Sequence, residues 1–462
     1  MPKENKPTTV PSAAKQVGDI RGRWSWVEPS VWTERMLTAL ETGVKGGKWF
    51  SLIDKVYRKS NLESAFYRVQ VNKGSAGIDH QTIKQFSHRL LENLSYASES
   101  LKSQRYRPQA IKRVWIPKPG SKEKRPLGIP TVRDRVIQTA LRNVLEPIFE
   151  RDFAEHSYGF RPQRGCKDAL RRVDALLKSG YSWAVDVDLK SYFDTIPHEK
   201  LMERIKEKVA DSRILNLIEM YLRQAVLEEV RTWTPETGSP QGAVISPLLS
   251  NIYLDPLDHK MADAGYEMIR YADDFVILCR SESQARKAMQ EVGQWCEAYG
   301  LEMHPEKTRI VDASQQGGID FLGYHFERGY KWPSDKSEHK FKEAIRAKTH
   351  RCNGHSLDTI IFKVNQTTRG WFEYFKHSYF TTFKWHDGWI RMRLRSILRK
   401  RIHLKGRGRG QDHHRWPNAY FAEHGLFSLV AAYEQLVNPR GGTTTDRRAV
   451  CGRTARTVRR EG

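Results

Sequence analysis

Two short stretches of the chain concentrate carboxylates in extended patterns. Residues 182–189 alternate, with Trp183, Val185, Val187 and Leu189 on one face and Ala184, Asp186 and Asp188 on the other. That pattern predicts a strand carrying two carboxylates on one side. Residues 268–279 read as two short strands around a tight Ala272-Asp273-Asp274 turn. Carboxylates converging from two separate segments suit nucleotidyl transfer, which must make a hydroxyl nucleophilic and offset charge developing on phosphorus. Two divalent ions about 4 Å apart do both, and hard oxygen ligands hold them. Any one of these aspartates alone would as readily cap a turn or face solvent.

The surrounding elements have to place those carboxylates together. Residues 1–45 are expected to form a flexible N-terminal extension, because residues 1–22 offer few large apolar side chains to bury. A helical region is expected from near Val31, with breaks, to about Lys102. In residues 105–130 the prolines Pro108, Pro117, Pro119, Pro126 and Pro130 exclude a long helix and predict strands joined by a Lys- and Gly-bearing turn. Residues 132–149 repeat Val132, Val136, Ala140, Val144 and Ile148 at four-residue spacing, predicting an amphipathic helix that stops at or just after Pro147. Beyond residue 331 the chain turns helical, aromatic and basic. There Ile390, Leu394, Ile397, Leu398 and Ile402 form an apolar stripe, while Arg391, Arg395 and Arg399 run along another line. A helix packed by one face and lined with guanidinium on another suits a nucleic-acid backbone. Residues 437–462 are rich in Arg, Gly and Thr, and disorder is expected there.

Composition narrows the partners. Lys and Arg number 78 against 54 Asp and Glu, a formal charge of +24. Solubility needs far less, and a polyanion is the simplest account of the excess. The five cysteines include no CxxC pair, which argues against a zinc ribbon and for reduced thiols. With no apolar run of membrane-spanning length and no signal-like segment, a soluble cytoplasmic protein with no membrane partner is expected.

With Asp188 and the turn Tyr271-Ala272-Asp273-Asp274 the chain resembles reverse transcriptases, specifically the group II intron-encoded reverse transcriptase and maturase family. Further segments follow in that family's order. They are Gly74 to Asp79, Ile116-Pro117-Lys118-Pro119-Gly120 with Lys124-Arg125-Pro126-Leu127-Gly128, Ser157-Tyr158-Gly159-Phe160-Arg161-Pro162, and Asp186 through Asp194. After them come Pro240-Gln241-Gly242, His304-Pro305-Glu306-Lys307-Thr308 and Phe321-Leu322-Gly323-Tyr324. The resemblance implies an α+β right-hand polymerase. Its expected parts are fingers with an N-terminal block (46–180), an antiparallel-sheet palm (181–330), a helical thumb or domain X (331–405) and a short basic C-terminal region (406–462).

It also implies roles, residue by residue. Asp188, Asp273 and Asp274 match the catalytic aspartates that hold two Mg2+ ions, for which Mn2+ can substitute. Asp186 shares the strand face of Asp188, but the family pattern does not make it a ligand. Lys118 and Arg125 match the basic residues that grip the triphosphate, and Phe193 the ring under the sugar that selects deoxynucleotides. Gln241 and Gly242 lie beside the nascent pair, and Lys307 is a proton donor to pyrophosphate. Arg391, Arg395 and Arg399 would contact nucleic acid. The implied partners are group II intron RNA, an RNA template–DNA primer duplex, target DNA and deoxynucleoside triphosphates. The implied function is RNA-directed DNA synthesis during retrohoming, with assistance to splicing. No paired cysteines follow Cys352, so the zinc-bearing HNH endonuclease of some relatives is not expected. The alternatives are a related bacterial reverse transcriptase (retron, diversity-generating or phage-defence), a polymerisation-inactive RNA-binding maturase, and an RNA-dependent RNA polymerase, which Phe193 disfavours.

Overall fold

The computed structural model describes residues 19–117, 124–229, 231–406, 408 and 410–438. The expected tail disorder, most of the N-terminal leader and Lys118 lie outside these residues. The chain divides into two compact units, 1–322 and 323–462.

The first unit holds two sheets. One is the four-stranded order β2-β1-β4-β5, with β1 Ile111–Pro117, β2 Lys124–Ile129, β4 Val226–Glu228 and β5 Arg231–Trp233. Strands β1 and β2 form the antiparallel pair expected of the Pro-punctuated segment. The other sheet is antiparallel, in the order β6-β7-β3-β8, from β3 Trp183–Asp188, β6 Glu267–Tyr271, β7 Asp274–Cys279 and β8 Arg309–Asp312. Of its central strands, β7 is buried from Phe275 to Cys279, while β3 buries Ala184, Val185 and Val187 and leaves Asp186 and Asp188 partly exposed. Val185, Val187, Ile277 and Cys279 join the main core, and helices Cys166–Lys178, Ser246–Asp263 and Glu282–Tyr299 pack on the strands. The last of these starts at a Ser281 cap and ends at left-handed Gly300.

One contact both completes a helix and changes an expectation. The helix Val132–Glu150 holds Pro147 in its last turn and ends just after it, as expected. Proline lacks the N–H that would bond the Asn143 carbonyl four residues back. The Trp32 indole N–H donates to that carbonyl instead, at 2.9 Å. Trp32 is fully buried, with Val27, Val31, Leu37 and Leu40 beside it in the core. The described part of the N-terminal extension is therefore packed, not flexible. Its apolar spacing carries that signal, and the Pro- and Lys-rich residues before it obscure it.

The second unit has its own core. It opens with the hairpin of β9 Tyr324–Glu327 and β10 Tyr330–Pro333 and continues through helices Asp335–Lys348, Leu357–Phe375 and Phe380–Arg401. Ile390, Leu394, Ile397 and Leu398 are buried as the apolar stripe requires, whereas Ile402 is 42% exposed just past the helix end. Phe421 and Trp416, from the segment after this helix, complete the core. Among the described residues, no helix is long and apolar enough to cross a membrane.

Candidate active site and basic cleft

Strand pairing fixes the carboxylates. In the β3–β7 register Asp188 lies opposite Asp274, and Tyr271 pairs with Asp274 across the turn of the β6–β7 hairpin. Ala272 turns the corner in the left-handed region at φ +62°, a conformation that costs a non-glycine residue roughly 1–2 kcal/mol. Asp273 follows it, partly buried. The hairpin and the strand therefore bring Asp188, Asp273 and Asp274 to one end of the sheet, with Asp186 two residues behind on the face of Asp188.

These charges repel one another. Burial together with the charges of Asp186, Asp273 and Asp188 pushes the Asp274 carboxyl up to about 7. Burial likewise raises Asp273, with Asp188 adding to the lift. Asp186 is raised by burial, partly offset by Arg309, whose Nε donates to it at 3.3 Å. The cation beside Asp188 is Lys307, with Nζ 3.4 Å from each carboxylate oxygen. Its loop is anchored there because the His304 N–H donates to the Asp188 carbonyl at 2.8 Å. Among the described residues no three His, Cys, Asp or Glu side chains are gathered closely enough to hold an ion as they stand. The donor set still suits one: hard oxygens from two segments, held at a cost in mutual repulsion that a divalent ion would reverse.

The other expected residues lie around this end. Phe193 is partly buried and meets Tyr192 edge-on at 5.4 Å. It follows left-handed Ser191, and its carbonyl accepts from the Ser239 N–H at 2.6 Å. The Gln241 side chain reaches Asp194 at 3.4 Å, and its carbonyl accepts from the Gly128 N–H at 2.6 Å. Gly242, at φ +104°, has no room for a side chain, since a Cβ would stand 2.4 Å from the Gly128 carbonyl oxygen. The close approach it permits in this structure is to β2 of the neighbouring sheet. Arg125, on β2, is exposed.

A buried network behind the turn has no counterpart among the expectations. Arg270, 0% exposed, donates through Nε to both oxygens of Asp258 at 2.8 and 3.0 Å. Its Nη1 donates to Asn251 Oδ1 and to the Ala272 carbonyl, each at 2.9 Å. Asn251 in turn donates to the Gly159 carbonyl at 2.9 Å. Gly159 lies so close that a Cβ there would be 2.2 Å from the Ala272 nitrogen. One signal is available in the sequence: Asn251 and Asp258 stand seven residues apart, two turns along one helix face.

The expected arginine row is placed differently. Arg395 is 2% exposed. Its Nε donates to the Trp416 carbonyl at 2.9 Å and its Nη2 to Asn418 Oδ1 at 2.8 Å. Arg399 donates to the Lys405 carbonyl and pairs with Asp412, both at 2.7 Å. Arg391 stands 3.8 Å from Asp387. The segment after the helix turns back and takes up Arg395 and Arg399, so Arg395 is corrected from a nucleic-acid contact to a buried anchor. Cations without a carboxylate beside them lie elsewhere in the second unit, although Arg393 donates to Thr349 Oγ1 and its carbonyl at 2.6 and 3.0 Å. A cleft of about 860 Å³ is lined by Arg346, Arg351, Arg393, Lys400 and Lys405, with His350, His403 and Trp389. No Asp or Glu is among the described residues that line it. Burial and the charge of Arg346 push the Arg393 guanidinium below its ordinary value, and both arginines lie over the Trp389 ring at 5.9 and 5.6 Å.

A family model described as reverse transcriptase (RNA-dependent DNA polymerase) matches residues 116–326, and one described as group II intron, maturase-specific domain matches residues 339–416. The first range contains the carboxylates and the second contains the cleft. The chain is 41% identical over 196 residues to the group II intron-encoded protein LtrA of Lactococcus lactis subsp. cremoris, covering 42% of this chain and 32% of that protein. It is 31% identical over 327 residues to protein YkfC of Escherichia coli (strain K12), covering 62% of this chain and 84% of that protein. To an uncharacterized 91 kDa protein in the cob intron of Schizosaccharomyces pombe it is 30% identical over 320 residues, with coverages of 56% and 39%. The chain thus spans about a third of LtrA but most of YkfC.

Proposed function

Because the chain belongs to the group II intron-encoded reverse transcriptase and maturase family, we propose that it extends a DNA primer on an RNA template from deoxynucleoside triphosphates. Its template and second ligand is the group II intron RNA, bound to assist splicing and copied into target DNA during retrohoming. The observation that supports the polymerase reading best is the set of mutually repelling carboxylates on β3 and the β6–β7 turn. Asp188, Asp273 and Asp274 would hold the divalent ions, two Mg2+ with Mn2+ as a substitute. When bound, such ions lower the pKa of the primer hydroxyl and offset charge on the α-phosphate.

The chain's own residues supply the rest. Lys307, already beside Asp188, is placed to give a proton to the departing pyrophosphate. Arg125, with Lys118 outside the described residues, grips the triphosphate through charge-assisted hydrogen bonds. Phe193 excludes a ribose 2′-hydroxyl by bulk. Phe193→Val should admit ribonucleotides more readily, and unchanged sugar selection would remove that role. The Gln241-Gly242 turn, held on β2 by Gly128, backs the nascent pair. In the second unit the cleft around Trp389 binds RNA phosphates, because five Lys and Arg side chains face it with no carboxylate among its described lining residues.

Primer extension on a defined RNA template with Mg2+ tests this reading. Wild type should extend with deoxynucleotides, and Asp273→Ala/Asp274→Ala should not, while both bind the RNA alike. RNA binding without extension by wild type would leave a maturase only.

A further inference from the structure

The turn that carries Asp273 and Asp274 is strained, and something must hold it. Left-handed Ala272 would relax if its carbonyl were free to rotate, and rotation would swing Asp273, the next residue, away from Asp188, whereas Asp274 is held by the β3–β7 pairing. The group that blocks such rotation is Arg270, whose Nη1 bonds the Ala272 carbonyl at 2.9 Å. We propose that Arg270 is a positioning residue, pinned by Asp258 and Asn251 so that its guanidinium clamps the Ala272 carbonyl and fixes Asp273 beside Asp188 and Asp274.

Three features carry the inference. The guanidinium is fully buried and forked onto Asp258, with Asn251 taking a further N–H, so it has no freedom to follow the turn. Its own backbone is pinned as well, since the Arg270 N–H donates to the His156 carbonyl at 3.0 Å and the Tyr158 N–H donates to the Arg270 carbonyl at 2.8 Å. Asn251 ties the same network to Gly159, the residue stacked against the Ala272 nitrogen. Ala272 is therefore gripped at both of its peptides, at its nitrogen and at its carbonyl. A buried ion pair is a poor source of stability, since apolar residues of similar volume often do as well. Its retention here is explained by geometry: a planar fork reaches Asp258, Asn251 and Ala272 at once, which lysine cannot do.

This inference rests on the polymerase reading, and the test separates the two. The full chain would be compared with Arg270→Met/Asp258→Leu, which removes the pair and keeps the volume, and with Asn251→Leu, which keeps the pair and unlinks Gly159. Hydrogen exchange of the peptide covering residues 268–279 is read alongside single-nucleotide extension kinetics and the melting temperature. A folded double variant should exchange at the turn at least about tenfold faster. Its kcat should fall about 100-fold, as expected for a displacement near 1 Å at reacting groups, with KM for the nucleotide within about twofold. Arg270→Lys should not rescue it. Asn251→Leu should show the same changes to a smaller extent, and it decides the matter if the double variant does not fold. Turn protection equal to wild type in a folded variant would overturn the clamp, whatever the activity. Absence of extension in wild type would instead refute the polymerase reading, and the exchange measurement would still decide the clamp.

Discussion

Two rows of like charge lie on regular elements of this molecule, and they meet opposite fates. On β3 and the adjoining turn, Asp186, Asp188, Asp273 and Asp274 face one another, with Lys307 and Arg309 at 3.4 and 3.3 Å as the cations beside them. On the helix Phe380–Arg401, Arg391, Arg395 and Arg399 are met by Asp387, the Trp416 and Lys405 carbonyls, Asn418 and Asp412. In the first row burial and mutual repulsion still raise Asp273 and Asp274, whereas each arginine of the second row is met by acceptors of its own chain. Charge that a fold leaves uncompensated at a cost marks a place for a ligand, whereas charge met by partners is architecture. By the same rule the cleft around Trp389, and not the arginine row, is the surface proposed for the nucleic acid in the second unit.

The sharpest way to break this contrast is at the carboxylates. Asp188→Asn should lower the extension rate by at least about 10³-fold, some 4 kcal/mol of transition-state stabilisation, with RNA affinity unchanged. A rate near wild type would mean the repelling cluster is not the site. Next come the cations. Arg346→Ala/Arg351→Ala/Lys400→Ala should weaken RNA binding at least about tenfold. The same variant should flatten the dependence of log affinity on log salt by about 0.7–0.9 for each phosphate it no longer neutralises. Arg391→Ala/Arg399→Ala should leave that slope unchanged. A reversal of these two outcomes would restore the row as the binding surface.

Acidity gives a third test. With its folded value near 7 against about 4 for a free carboxyl, Asp274 binds a proton in the folded state that the unfolded chain does not hold between those limits. Without metal, stability therefore falls as pH rises from about 4 to 7, because the charged form is the disfavoured one in the fold. The divalent-ion concentration giving half-maximal extension should drop as pH rises, by up to about tenfold per unit below 7, since proton and ion compete. A flat profile between pH 6 and 8 would remove Asp274 from the site. The smallest effect belongs to Arg395→Ala. It should cost about 1–3 kcal/mol by leaving buried acceptors unpaired, seen in denaturant unfolding, while the folded fraction binds RNA as before.

The palm strands and their aspartates are legible because their signals are local. A period of two and a tight turn are written in adjacent residues, and β3, β6 and β7 fall within one or two residues of the expected bounds. What stays hidden depends on partners distant in the chain. The three arginines are visible, but the residues that absorb Arg395 and Arg399 come after the helix, and nothing in its spacing announces that the chain turns back. The packing of the N-terminal residues is hidden because Trp32 donates to the Asn143 carbonyl, 111 residues away. Arg270 escapes notice for the same reason, since a buried cation is recognised by its counter-ion and Asp258 lies on another element.

Nucleotide addition as proposed requires Asp188, Asp273 and Asp274 to hold divalent ions. Counting bound Mn2+ by electron paramagnetic resonance, with primer–template and a non-hydrolysable nucleotide present, tests it most directly. Two tightly bound ions per wild-type chain, lost in Asp188→Asn and in Asp273→Asn/Asp274→Asn, is the predicted result. Equal Mn2+ binding by wild type and both variants would contradict it.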